Sequence, residues 1–292
     1  METIWKYDFS RMKAGILLGI EQRQLVIGGL VVVLLLFPFY AKPQNTDSNY
    51  TLINEIEIDA KLITVDNLNQ IYALNADNEI IKFNSNGEEV FRFNNNRLGD
   101  LTHIDASNPF NLLLYYADFS NILILDRTLN STVQLNLFEL NFTKVSAVGL
   151  ANDNNVWVFD DLNFQLKKID RKGAMIAASD NLNFALNKPI RPNFLLEREQ
   201  KVFLNDPEIG ILIFDFFGQF EKVLEFKNLN KFQVIGEQLL YVEQDKLHSF
   251  NLKSLLTKSI KLPKKMEEND NILVQKNRLY LIKKGRIEIY RF

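Results

Sequence analysis

The sequence has no cysteine, and that alone removes a disulfide framework, a thiolate metal site, a catalytic thiol and a lipid-modified N-terminal cysteine. A chain without thiols also suits an oxidising bacterial envelope. Histidine is nearly absent: His103 and His248 fall in or beside strands of different repeats, and two distant imidazoles build no zinc site without carboxylate help. Structural or surface roles are expected for both. An excess of one charge is missing as well. With 34 Lys and Arg against 36 Asp and Glu, the net charge of -2 gives neither a basic field for nucleic acid nor the acidity of a solvating chain. No nucleophile elbow, phosphate-binding glycine loop, HExxH helix or EF-hand loop occurs. No metal, cofactor or catalytic residue is expected. What the chain does have is apolar material: 47% of its 292 residues are hydrophobic, enough for two average domains or one large repeat fold.

One long apolar run stands apart from this balanced composition. Leu25 to Tyr40 reads LVIGGLVVVLLLFPFY and follows Lys6, Arg11, Lys13 and Arg23, the charged-then-apolar order of a secretory signal. At 16 residues it is slightly short of the roughly 20 that span a bilayer, and Pro38 with the polar stretch from Lys42 ends it sharply. Residues 1–42 therefore read as a signal peptide, with an uncleaved membrane anchor as the alternative, and 43–49 as a linker. The leader is long unless translation starts at Met12, and bulky Phe39 sits three positions in from a cut after Ala41.

From residue 50 onward the chain repeats. A strand with an aromatic second residue, a polar turn, a second strand and then Asp or Asn recur six times, anchored on Tyr72, Tyr115, Trp157, Phe203, Tyr241 and Tyr280. The intervals of 43, 42, 46, 38 and 39 residues are those of four-stranded propeller blades. Asn84-Ser-Asn-Gly87, Asp170-Arg-Lys-Gly173 and Asp215-Phe-Phe-Gly218 place Asx first and Gly fourth, which predicts a type I turn closed by a left-handed residue. The second and fifth copies degrade this to Asp126-Arg-Thr-Leu129 and Asn251-Leu-Lys-Ser254. Each copy supplies strands b and c, a strand d after the turn (Val90–Phe93, Val223–Phe226) and a strand a before the anchor (Leu62–Val65, Val145–Leu150, Phe232–Ile235). The sixth copy stops after strand c, whereas Tyr50–Ile58 alternates like a spare strand d. Pairing it with Ile287–Phe292 closes residues 50–292 into a six-bladed ring without an open sheet edge.

The units Asp66-Asn-Leu-Asn-Gln-Ile71-Tyr-Ala-Leu with Glu79-Ile-Ile-Lys-Phe-Asn-Ser-Asn-Gly87, and Asn152-Asp-Asn-Asn-Val-Trp-Val-Phe-Asp with Gln165-Leu-Lys-Lys-Ile-Asp-Arg-Lys-Gly173, resemble the repeats of the NHL and TolB-like six-bladed β-propellers. The resemblance covers about residues 50–292, best in copies one, three and four. It implies an all-β ring of four-stranded antiparallel blades. Lyases, lactonases, binding modules and scaffolds share that fold, so it leaves activity open.

Two sets of residues are candidates for binding. Asp77, Asp118, Asp160, Asp161 and Asp206 lie in the b–c turns, which share a face with the d–a connections. Converging, they could offer oxygens to a calcium ion; the plainer reading is that Asp caps turns. Charge also divides along the chain. Residues 43–221 hold 14 Lys and Arg against 25 Asp and Glu, and residues 222–292 hold 15 against 8. Lys261, Lys264 and Lys265 in the fifth d–a connection, with Lys283, Lys284 and Arg286 at the last b–c turn, form a basic sector on the same face, for a charged protein or for solubility only. The expected function is a non-catalytic scaffold binding a protein at the cell envelope, in the periplasm or outer envelope, or anchored through residues 25–41. A sugar- or small-ligand-binding module is the alternative, then a hydrolase or lyase with pKa-perturbed carboxylates at the channel mouth. Nucleic acid is excluded as partner, and membrane contact is expected only through an uncleaved N-terminal segment.

Overall fold

The computed structural model describes residues 50–267 and 270–292; the signal-or-anchor segment and the linker lie outside the described residues. Strand β1 (Thr51–Glu57) comes first, and five sheets follow in chain order. Blade 1 is β2 (Ala60–Val65), β3 (Ile71–Asn75), β4 (Glu79–Phe83) and β5 (Glu89–Asn94); blade 2 is β6 (His103–Asn108), β7 (Asn111–Tyr116), β8 (Asn121–Leu125) and β9 (Ser131–Asn136). Blade 3 is β10 (Val145–Leu150), β11 (Val156–Asp160), β12 (Gln165–Ile169) and β13 (Met175–Ala178), after which comes a short helix, α1 (Leu182–Leu186). Blade 4 is β14 (Phe194–Arg198), β15 (Lys201–Asp206), β16 (Gly210–Asp215) and β17 (Phe220–Leu224); blade 5 is β18 (Gln233–Ile235), β19 (Gln238–Glu243), β20 (Lys246–Asn251) and β21 (Thr257–Lys261). Blade 6 consists of β22 (Asn271–Gln275), β23 (Arg278–Lys283) and β24 (Arg286–Arg291), completed by β1 in the order β1-β24-β23-β22. No helix among the described residues is long and apolar enough to cross a membrane.

The burial pattern follows from this geometry. Strands b and c are covered on both sides by neighbouring blades, so they are continuous apolar runs: all of Asn121–Leu125 and Val156–Asp160 is buried. Strand d lies at the rim, and Glu89–Asn94 is almost wholly exposed. Of the six aromatic anchors five are buried, and Tyr241 is half-buried. The ring closes as the spare strand requires. Thr51 pairs with Arg291, Ile56 with Ile287 and Glu57 with Arg286, antiparallel, and Ile56, Ile287 and Ile289 join a core cluster with Ile71 and Ala73 of blade 1.

The c–d turns share one chemistry. The first Asx accepts backbone N–H bonds within its own turn: Asn84 from Asn86 and Glu88, Asp170 from Lys172 and Ala174, Asp215 from Phe217 and Gln219. The degraded copies keep that shape at a conformational cost. Leu129 takes the left-handed position at φ 65°, while the fifth turn is one residue longer and puts Leu255, not Ser254, there at φ 59°. Strand d of blade 4 occupies Phe220–Leu224 rather than Val223–Phe226, because the four-residue turn ends at Gly218 and pairing resumes at Phe220.

Candidate interaction face

The b–c turns and d–a connections are tied together on one face by hydrogen bonds. Asn78 bridges to Gly99 and Leu101, the Asn181 amide donates to the Asn163 carbonyl, and the Arg191 amide donates to Asp206 at 2.6 Å. The a–b and c–d turns form the opposite face, where Asn108 and Asn111 both reach Asn154. The five acidic residues all sit on the first face, in blades 1 to 4, without converging. Asp160 is buried and accepts from the amides of Leu162 and Asn163, the Asn163 side chain and Lys167; Asp206 accepts from Glu208, Ile209 and Arg191. Those two cap their own surroundings. Asp77 and Asp118 are exposed, and among the described residues no group of three His, Asp or Glu side chains could hold a metal ion.

Asp161 differs from these. It borders a cleft of about 590 Å³ between blades 3 and 4, walled by Phe164, Pro189, Ile190 and Pro192 and edged by Lys144 and Arg191. Burial pushes its carboxyl above the usual carboxylate range, against the pull of Ser146 and Lys144. Asp161 Oδ2 and Ser146 Oγ are both closed off from solvent without a well-formed hydrogen bond. A half-buried carboxyl with a raised pKa at the edge of a cleft is a candidate ligand contact. Tyr115, whose hydroxyl donates to the Val145 carbonyl, is pushed up to about 12 by burial and by the Asp161 charge.

An apolar arc runs beside this cleft. Phe119 in the b–c turn of blade 2, Phe138 in the next connection, Leu162 in the b–c turn of blade 3 and Phe184 on α1 are 60–86% exposed. Leu137 donates its amide to the Ser120 carbonyl and Leu182 donates to the Phe164 carbonyl, so each connection lies against its neighbouring turn. Nearer the ring axis, residues at the starts of the inner strands close on one another: His103, first in β6, packs edge-on to Phe194, first in β14, at 6.0 Å, and Phe194 packs on Phe232, just before β18, at 5.4 Å. Burial pushes the His103 imidazole below its usual range, and its Nε2 is buried without a partner. His248 is remote from it, stacked on Tyr241 at 5.0 Å.

The basic residues fall at blades 5 and 6 of the same face, and three of the six are engaged. Lys264 and Arg286 converge on the buried Glu288 at 2.8 and 2.9 Å, and Tyr290 donates to it at 2.5 Å. Lys283 pairs with Asp270 at 3.1 Å and Glu267 at 3.6 Å. Lys265 and Lys284 are exposed and make no ion pair among the described residues, as does Lys261. Glu288 was readable, since the alternation in Arg-Ile-Glu-Ile-Tyr puts Arg286, Glu288 and Tyr290 on one side of β24. The apolar arc had a fainter signal, a large apolar residue directly after the turn aspartate in Asp118-Phe119 and Asp161-Leu162.

No family model and no curated protein matches the sequence. Among solved structures the chain is similar to a catalytically inactive virginiamycin B lyase from Staphylococcus aureus with quinupristin, at 11% identity and a TM-score of 0.59, over 83% of this chain and 99% of that one. The likeness is one of fold. The Pan2 WD40 domain of Neurospora crassa is similar at 9% identity and a TM-score of 0.56, over 83% and 95% of the two chains. BBS1N in complex with ARL6DN is similar at 12% identity and a TM-score of 0.54, over 83% and 96%. This chain has the six-bladed architecture of NHL and TolB-like propellers, and at such identities the comparison carries no activity with it.

Proposed function

We propose that the protein is an exported, non-catalytic interaction module of the cell envelope, docking a protein through the b–c and d–a face of blades 2 to 4. The observation that carries this reading is the arc of Phe119, Phe138, Leu162 and Phe184, four large apolar side chains presented to solvent on one face. Interfaces have such an apolar aromatic centre inside a polar rim, and exposed patches of this kind mark partner sites. The rim here is acidic, with Asp77, Asp100 and Asp118 exposed, so the fitting partner presents apolar side chains ringed by Lys or Arg. Lys265 and Lys284, across the ring, orient the approach. BBS1N in complex with ARL6DN is a precedent for a propeller holding a protein. Residues 1–42 supply export, as a cleaved signal or an anchor.

A photo-crosslinking residue replacing Phe119 or Phe184 in the native host tests the reading. A discrete protein adduct is expected from those sites and not from Phe110 on the opposite face. Adducts from Phe110 alone, or none from the arc, overturn it. A small-ligand site is the second reading, favoured by the raised carboxyl of Asp161 at the edge of the cleft. It requires Asp161→Asn to abolish ligand binding while the arc crosslinks persist.

A further inference from the structure

The opposite face carries apolar residues that the fold does not use. Phe216 and Phe217 at the c–d tip of blade 4, and Leu255 and Leu256 at that of blade 5, are 43–66% exposed and belong to no core cluster among the described residues. Corresponding tip positions in blades 1 to 3 are Ser85-Asn86, Arg127-Thr128 and Arg171-Lys172. The blade 4 turn needs neither phenyl ring for its shape, because Asp215 caps it and Gly218, at φ 85°, fits against the Trp157 ring where an added Cβ would lie 3.3 Å away. The two rings instead lie 3.9 Å apart in the open. Leu255 is the more telling case. It holds a left-handed backbone that glycine adopts freely, while its side chain is 58% exposed and joins no core cluster among the described residues.

We propose that the c–d tips of blades 4 and 5 insert into the surface of an anionic lipid bilayer, so that the propeller rests on a membrane by its outer corner at blades 3 to 6. The surrounding charge fits that occupant. Lys172, Lys253 and Lys258 are exposed near the tips, Lys253 paired with Glu237, and Lys172 and Lys258 make no ion pair among the described residues. The carboxylates of Asp170 and Asp215 are turned back into their own turns. Cations at headgroup level around apolar tips are the pattern of interfacial binding. None of the four tip residues lines the cleft beside Asp161 or a second cleft at Asn67, Leu68, Asn108, Phe110 and Asn152, and a fluid interface needs no complementary pocket. Strand β1 starts at the same end of blade 6, next round the ring, beside exposed Leu52 and Phe292. The inference does not depend on the protein-docking reading, which uses the other face.

A chain without cysteine takes a single label cleanly. Full-length protein carrying a fluorophore at Phe217→Cys, Leu256→Cys or Phe119→Cys is reconstituted into vesicles of phosphatidylcholine with phosphatidylglycerol. Labels at 217 and 256 should be quenched several-fold more by brominated lipid than by aqueous iodide, with the reverse at 119. High salt or omission of phosphatidylglycerol should reduce lipid quenching at 217 and 256. Iodide access at 217 and 256 equal to that at 119 overturns the proposal. So does equal shielding of 217 and 256 in detergent without lipid, which would mean that protein covers the tips. Leu255→Gly combined with Phe216→Ser should not lower the unfolding midpoint and should lower lipid quenching at Leu256→Cys; a large drop in the midpoint would show these residues to be packing groups and overturn the proposal.

Discussion

Closure of the ring through β1 is the feature whose perturbation tests the architecture most directly. Ile56 on β1 is 7% exposed and packs with Ile287 and Ile289 of β24 and with Ile71 and Ala73 of blade 1, so it touches both sides of the seam. Ile56→Ala deletes three carbons, about 2.4 kcal/mol at about 0.8 kcal/mol per methylene, and the cavity left behind brings the cost to about 3 kcal/mol. For a domain of this size each kcal/mol moves Tm by about 2–4 °C, giving a fall of about 6–12 °C. Leu52 lies on the same strand but is 48% exposed. Leu52→Ala should therefore stay within about 0.5 kcal/mol of the parent. Circular dichroism melting measures both, and hydrogen exchange adds a second readout: amides of β1 should exchange with the slow global unit, and in Ile56→Ala those of β1, β24 and β2 should lose protection together. Equal and small effects of the two substitutions, or fast exchange of β1 in an otherwise protected ring, would show β1 to be a peripheral addition and the ring to be closed by other contacts.

Two leucines share a left-handed backbone and should respond oppositely to glycine. Leu255→Gly relieves strain at an exposed site and should stabilise by about 0.5–1 kcal/mol, whereas Leu129→Gly removes a buried core side chain and should cost about 3 kcal/mol, both read by urea unfolding. Burial pushes the Glu288 carboxyl up, but Lys264, Tyr290 and Arg286 outweigh it and hold it below the usual range; Asp160 is held low against burial by Asn163 and Lys167. Groups lowered in the folded state stabilise fully above the ordinary carboxylate pKa of about 4 and lose that contribution as pH falls through their folded values, so acid should destabilise the wild type and Glu288→Gln should flatten that part of the profile. Reversal of Lys265 and Lys284 to Glu should change stability by less than about 0.5 kcal/mol each, while Lys283→Glu, which sets a carboxylate against Asp270, should lower Tm clearly in a thermal melt.

Periodicity made the ring legible. A strand period of two, aromatic anchors about forty residues apart and Asx-x-x-Gly turns are local features, each enforced by backbone geometry within a few residues, so they survive in the sequence without knowledge of neighbours. The spare strand at Tyr50–Ile58 was legible for the same reason: a last blade short of one strand and a leading strand with no blade leave one pairing. Turn shape was legible less completely, because Leu129 and Leu255 adopt a backbone that their side chains disfavour, which the surrounding hairpin imposes. The basic sector was readable as composition but not as charge: only the fold brings Lys264 and Arg286 onto one buried carboxylate and leaves Lys265 and Lys284 outside. Nor does spacing reveal which turn aspartate is satisfied. Asp160 and Asp206 find donors in their own turns and connections, while Asp161, the next residue after β11, is turned toward Ser146 of the neighbouring inner strand and half-buried there. Strand, turn and blade are short-range and were decided by the sequence itself; which side chains meet across blades, and which large apolar residues are left facing outward, depends on contacts tens of residues apart and was decided only when the ring closed.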